Sequence, residues 1–329
     1  MDDFSNKPLI IILGCTGTGK TEFSIRISKY LKEKGLDLEI IGADARQIYR
    51  EISVGTAKPT LDQRSQIKHH MIDFLSPHVA YNVSLYAQDC LDILSDIYNR
   101  SVLPVLVGGS GLYIQSLVDG IFDGPASDSS IRDKLMLDYE KKGAESMYRI
   151  LQKIDLESAS RIHRNDKRRL IRALEVYEIT GRSLSSYQNE FAKPRFENPL
   201  YIGLNLPKEL LNFKIEQRVR DMLRTGMLEE SELLERECLQ NSQIFEGLGF
   251  SEAVMLKKQE IDFETAVEKI SISHRQYAKR QRTWFEKNRR INWFDISEFD
   301  ESVLVQNLAS IILDYLNKNK KRFKKRKNI

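Results

Sequence analysis

Gly14-Cys15-Thr16-Gly17-Thr18-Gly19-Lys20-Thr21 is the stretch on which the reading of this chain turns. It follows Leu9-Ile10-Ile11-Ile12-Leu13, an apolar run short and β-branched enough for a buried parallel strand. From Lys20 to Lys34, Phe23, Ile27, Tyr30 and Leu31 recur at helical spacing, and Gly35 supplies the stop. Strand, glycine-rich turn and helix, in that order, are the context that the pattern GxxxxGK(S/T) requires. Small residues let backbone N–H groups close around a phosphate, and the positive end of the helix dipole faces the same anion. Gly14, Thr16, Gly17, Thr18, Gly19, Lys20 and Thr21 are therefore the expected cradle. Lys20 adds a point charge, and the Thr21 hydroxyl is placed to ligate magnesium. The loop implies a phosphate or diphosphate and leaves its owner open.

The 329 residues suffice for one large domain or two of ordinary size. With 41% hydrophobic and 30% charged residues, the composition is that of a globular protein with a packed core. No apolar run approaches the ~20 residues of a membrane span, and the acidic Met1-Asp2-Asp3-Phe4-Ser5 reads as neither signal nor transit peptide. Cys15, Cys90 and Cys238 form no CxxC pair, so a disulfide framework or zinc finger is not expected and a reducing cytoplasm is. The net charge of +4 hides a run of eight basic side chains between Lys318 and Lys327. Residues 318–329 read as a tail without fixed structure, either a loose polyanion holder or a solubiliser.

Strand-like runs recur at Leu38-Glu39-Ile40-Ile41 and Leu103-Pro104-Val105-Leu106-Val107. A helix over Val83–Asn99 lies between them, with Leu85, Ala87, Leu91, Leu94, Ile97 and Tyr98 as its core positions. The alternation predicts an α/β, doubly wound parallel sheet, whose ligands bind at the carboxyl ends of the strands. Asp44 falls at such an end, beside the phosphate loop if the first two strands are neighbours. The third run ends in Gly108-Gly109 rather than in the acid that usually positions magnesium in ATP hydrolases, which argues against a plain nucleotide hydrolase. Asp44 is then a magnesium partner, a general base or a helix cap. The adjacent His69 and His70 cannot face the same way, so a shared metal site is not expected.

After Gly124-Pro125-Ala126 the strand signal disappears. Asn165-Asp166 predicts a helix through Thr180 stopped by Gly181, with Leu170, Ala173, Leu174 and Tyr177 on its apolar stripe. Arg168, Arg169 and Arg172 suit phosphate contacts or a solvated basic face equally. The strand signal returns at Leu200–Leu204. Ile270, Tyr277, Trp284 and Phe285 then make an apolar seam, with Arg275, Lys279 and Arg282 on another helix face and Arg280 between. Residues 1–126 with 195–317 are the expected core, and 127–194 a helical insertion.

Together these motifs resemble one family, the tRNA dimethylallyltransferases (tRNA isopentenyltransferases). The resemblance rests on the glycine-rich loop, Ala43-Asp44 through Gln47-Ile48-Tyr49, Gly55-Thr56-Ala57-Lys58-Pro59 and His69–Asp73. It continues through Leu106–Ile114, Arg161-Ile162-His163, Asn165-Asp166, Arg169–Tyr177, Tyr277–Gln281 and Thr283-Trp284-Phe285, in the family's order. It implies a P-loop NTPase-like core with a helical tRNA-binding insertion. It also implies transfer of a dimethylallyl group from dimethylallyl diphosphate to N6 of the adenine immediately 3′ of the anticodon in tRNA, with diphosphate released and Mg2+ as cofactor. A monomer is expected.

By the same resemblance Asp44 is the general base, and Thr16 and Lys20 are catalytic through the leaving diphosphate. Asp44, Ala45, Arg46, Gln47, Ser110, Arg132, Arg168, Arg169, Arg172, Arg275, Lys279, Arg280 and Gln281 would face the anticodon stem-loop. The chain departs from the family pattern at Cys15, Gly17 and Thr18, at Ala45 where serine is usual, and at Ser251 where a basic residue is usual. Rival readings are an isopentenyltransferase acting on free adenine nucleotides, a P-loop kinase or ATPase, and an RNA-binding module with an inactive loop.

Overall fold

A computed structural model describes residues 3–120, 124–125, 128–191, 193–237, 239, 244–245 and 249–326. Ala126, Cys238 and Leu248 of the sequence reading, and residues 327–329 of the tail, lie outside them. The chain divides into two compact units, Met1–Val118 with Phe196–Ile329, and Asp119–Arg195.

The first unit opens with β1 (Ile10–Gly14), α1 (Lys20–Glu33), β2 (Leu38–Ala43), α2 (Leu61–Gln66) and β3 (His69–His70). It continues with α3 (Val83–Asn99), β4 (Leu103–Gly108) and α4 (Gly111–Val118). The second unit holds α5 (Ser129–Ile154), α6 (Leu156–Arg161), α7 (Lys167–Thr180) and α8 (Leu184–Phe191). The first unit resumes with β5 (Leu200–Asn205), α9 (Lys208–Thr225), α10 (Met227–Arg236) and α11 (Phe250–Lys257). It ends with α12 (Phe263–Phe285), β6 (Ile291–Asp295) and α13 (Glu301–Arg326).

Among the described residues the strands form one six-stranded sheet in the order β3-β2-β4-β1-β5-β6. Every pairing is parallel. Alternation along each strand divides the core between two faces. Ile11, Leu13, Ile41 and Leu106 pack against Tyr86, Cys90 and Leu94 of α3 and Ile114 and Leu117 of α4. Ile10, Ile12, Ile40 and Val105 pack against Phe23, Ile27 and Leu31 of α1 and Leu304, Leu308 and Ile312 of α13. The doubly wound α/β expectation holds.

The condition that β1 and β2 be neighbours is not met, because β4 runs between them. Two expectations are corrected. Leu85, read as core, is 45% exposed, since it sits in the first turn of α3, capped by Asn82, before the buried stripe begins. α13 continues to Arg326, so residues 318–326 are helical where no fixed structure was expected. Lysine and arginine are good helix formers, and here they extend a helix already anchored by buried apolar turns. His69 and His70 prove structural. The Nδ1 of His69 lies 2.8 Å from the Ile67 carbonyl, and the Nε2 of His70 lies 2.7 Å from Glu39.

The second unit has its own core, built from Leu135, Met147 and Leu151 of α5 and Leu170, Ile171, Leu174 and Val176 of α7. Its helix α7 has the bounds read from the sequence. The Asp166 carboxylate accepts from the Arg169 amide, and Gly181 closes the helix at φ 69°.

Candidate active site

The turn after β1 is shaped by its own hydrogen bonds. Thr18 is buried and donates its hydroxyl to the Cys15 carbonyl at 2.9 Å. Gly19 stands at the N-cap of α1 with φ 74°, left-handed backbone that a side chain would strain. No side chain caps this helix, which leaves its first N–H groups available to an anion. Lys20 bends back and donates to the same Cys15 carbonyl at 2.7 Å. Burial lowers the Lys20 ammonium to about 8, and the nearby Asp44 carboxylate offsets only part of that shift.

Asp44 reaches this loop although β4 intervenes. The end of β4 is made of glycines, and a Cβ on Gly108 would lie 2.0 Å from the Ala43 carbonyl oxygen. The glycine pair that replaces an acid at this strand end therefore lets the end of β2 close in. The buried Gln281 of α12 ties the strand ends together. Its Oε1 accepts from the Thr16 amide at 2.8 Å, and its Nε2 donates to the Gly109 carbonyl at 2.9 Å. Asp44 uses Oδ1 to accept from the amides of Arg46 and Gln47 at 2.9 and 3.4 Å, which fixes the turn after β2.

Thr16, Lys20, Thr21, Asp44, Arg46 and Gln47 line one cavity of about 610 Å³ with residues of α9 and α12. Gly14 and Thr18 do not line it; a Cβ on Gly14 would lie 2.8 Å from Thr18 Oγ1. Ala45 donates its amide to Ser110 Oγ at 3.1 Å. Gln47 is committed to its own unit, donating Nε2 to the carbonyls of Thr56 and Ala57 at 3.1 and 3.0 Å. The Arg46 and Arg280 guanidinium groups lie 5.7 and 5.8 Å from the Tyr277 ring centre. Arg275 is half-buried, and Lys279 and Arg280 are exposed. Ser251 does not line the cavity and donates to Glu252 at 2.8 Å.

In the second unit, Arg168 and Arg169 are exposed on α7. Arg132 and Arg172 instead hold the fully buried Glu175 carboxylate, at 2.9 and 3.0 Å, and Arg172 also donates to the Pro125 carbonyl at 2.9 Å. These two arginines organise their own unit, whatever else they do.

Sequence reasoning missed two site residues. Arg218 of α9 donates Nη1 to Thr16 Oγ1 at 3.0 Å, and its buried Nε has no acceptor among the described residues, leaving a donor for an anion. Burial lowers the Arg218 guanidinium from its usual range, with Asp44 opposing that shift. Lys214, one turn before, lines the same cavity. The signal was present as two cations at i, i+4 along the edge of the apolar stripe Leu211, Ile215, Val219 and Met222. Tyr277, read as part of an apolar seam, lines the cavity too. Burial, and then Asp44, push its hydroxyl up to about 12. The buried face of α12 holds His274 and Gln281 with Ile270 and Phe285, while Trp284 is 37% exposed.

Among the described residues no group of three His, Cys, Asp or Glu side chains is gathered to hold a metal by itself. Thr21, on the first turn of α1, offers one hydroxyl to the cavity. That donor set fits magnesium carried in by a diphosphate, which supplies most of the ion's oxygens.

The IPP transferase family model matches residues 47–288, and a model for isopentenyl transferase matches residues 7–83. The tRNA dimethylallyltransferase of Natranaerobius thermophilus is 38% identical over 316 residues, 94% of this chain and 93% of that protein. The one from Thermodesulfovibrio yellowstonii is 35% identical over 319 residues, 95% and 99%. The full-length tRNA isopentenylpyrophosphate transferase of Bacillus halodurans is similar in structure, with TM-score 0.70, 30% identity and coverage of 96% of this chain and 98% of that one. A eukaryotic dimethylallyltransferase acting on tRNA gives TM-score 0.73 at 30% identity, covering 88% and 74%.

Proposed function

The chain belongs to the IPP transferase family, and on that premise we propose that it moves the dimethylallyl group of dimethylallyl diphosphate onto N6 of the adenine immediately 3′ of the anticodon. It is a transferase that prenylates tRNA. One observation carries the mechanism: the glycine-rich cradle and the Asp44 carboxylate open into the same cavity, across a strand that ends in glycine.

In this reading the N–H groups at the start of α1, Lys20 and Arg218 hold the diphosphate, with the Thr16 hydroxyl aligned by Arg218. The adenine N6 lone pair forms a bond to the allylic carbon as the carbon–oxygen bond breaks, and the diphosphate leaves with the electron pair. The cations then oppose the charge growing on the leaving oxygen. Asp44 takes the N6 proton, its Oδ1 already fixed by two amides. Magnesium, held by Thr21 and the diphosphate, would supply further neutralisation of the leaving group. The exposed arginines of α7 would meet tRNA phosphates, and loop bases are more easily flipped than paired ones. We take the working form to be a single chain in the cytoplasm.

The test is mass analysis of tRNA nucleosides after incubation with dimethylallyl diphosphate and magnesium. A mass gain on adenosine 3′ of the anticodon is expected. Preference for AMP, ADP or ATP as acceptor, or phosphate release from ATP without prenyl transfer, overturns the reading.

A further inference from the structure

Beyond Asp44 the cavity wall includes Val54, Thr56, Ala57 and Lys58, from a short segment between β2 and α2. This segment is bound to an unusual degree. Glu230, in the first turn of α10, accepts from the Ser53 and Val54 amides through Oε1 at 2.6 and 2.7 Å, and from the Gly55 amide through Oε2 at 2.9 Å. Three successive backbone N–H groups converging on one carboxylate form an anion nest filled from within the protein. Charge-assisted bonds of this length are the strong kind.

From the other side, Gln47 holds the Thr56 and Ala57 carbonyls. The Ala57 amide donates back to the Val54 carbonyl at 2.9 Å, and Ala57 sits at φ 48°, backbone that a free loop would abandon. Gln47 and Glu230 therefore fix the segment between the end of β2 and the start of α10.

The lining is mixed. Thr16, Lys20, Thr21, Asp44, Lys214 and Arg218 are among its polar groups, while Val54 and Ala57 of the segment, with Phe213 and Met222 of α9, supply apolar surface. Val54 packs on the cluster that contains Met222 and Phe250. Phe213 is 60% exposed, an aromatic ring on the cavity wall.

We propose that Glu230 is a positioning residue for the prenyl donor: by gathering the Ser53, Val54 and Gly55 amides it holds Val54 and Ala57 as the apolar wall for the five-carbon chain. The phosphate cradle does not depend on it. The proposal rests on the donor reading given above.

Glu230→Gln keeps the size and one acceptor oxygen but turns an NH2 group toward the Gly55 amide, so that two donors face each other. The Michaelis constant for dimethylallyl diphosphate should rise about tenfold, the scale of one or two lost methylene contacts. The inhibition constant of inorganic diphosphate and the Michaelis constant for tRNA should stay near wild type, with the thermal midpoint lowered by no more than a few degrees. Val54→Ala, which trims the wall without touching the nest, should give the same signature. An unchanged donor constant in both variants overturns the proposal, as does a parallel loss of inorganic diphosphate affinity in Glu230→Gln, which would make the nest a support for the cradle. The wild-type enzyme separates the two levels. If it binds dimethylallyl diphosphate no more tightly than inorganic diphosphate, the donor reading falls and takes the proposal with it.

Discussion

Replacing Asp44 by asparagine isolates the proton-accepting role from the structural one. Oδ1 of Asp44 already accepts from the Arg46 and Gln47 amides, and an asparagine carbonyl can keep both bonds. The turn after β2, and with it Arg46 near Tyr277, should stay in place. What disappears is a group able to take the N6 proton, so kcat should fall by ~10²–10⁴-fold. That corresponds to about 3–5 kcal/mol of transition-state free energy at about 1.4 kcal/mol per decade. The sign of the effect on the donor is also fixed. The Asp44 carboxylate attracts the charged forms of Lys20 and Arg218, so its removal makes the cavity more positive. Diphosphate affinity should hold or increase, while turnover collapses. Asp44→Ala should lose the same turnover and also about 1 kcal/mol of turn stabilisation. The assay is single-turnover transfer to an anticodon stem-loop from labelled donor, with tRNA and inorganic diphosphate affinities measured separately. Turnover within a few-fold of wild type in Asp44→Asn, or a loss explained by weaker tRNA binding, would refute the general-base assignment.

Other consequences are as direct. Because burial brings Lys20 to about 8, its ammonium is present below that pH and is lost as pH rises through it. Inorganic diphosphate affinity should therefore be full below about pH 8 and fall about tenfold per unit above it. Calorimetry in two buffers should show proton uptake on binding at pH 8.5, and its absence would contradict a deprotonated lysine. Arg218→Gln removes the charge bound to Thr16 and should raise the donor Michaelis constant about ten- to hundredfold, with tRNA affinity unchanged. In the second unit, Arg172→Ala deprives the buried Glu175 of a guanidinium partner. It should cost about 1–3 kcal/mol in denaturant unfolding of the protein. The exposed Arg168→Ala should leave stability within about 0.5 kcal/mol yet weaken tRNA binding and lower its salt slope by about one.

The elements legible in advance were those whose causes lie within a few residues. The cradle, the bounds of α3 and the caps Asp166 and Gly181 are local, because a turn or a helix end is decided by short-range hydrogen bonds and backbone sterics. Asp44 was legible as a strand-end carboxylate, and the glycines after β4 as the place where an acid was missing. Those glycines had a second meaning that appeared only when β4 proved to run between β2 and β1.

Within the sequence alone were determined the glycine-rich turn before α1, the parallel α/β alternation and the carboxylate at the end of β2. Tertiary structure alone decided strand order, and with it which distant side chains complete the site. Thr16 meets Arg218 from 202 residues away and Gln281 from 265. It also decided that Arg132 and Arg172 hold a buried glutamate. Periodicity reports which face of an element turns inward, but it contains nothing about which other element that face will meet. Contacts of that kind are set by packing the whole sheet and its helices at once.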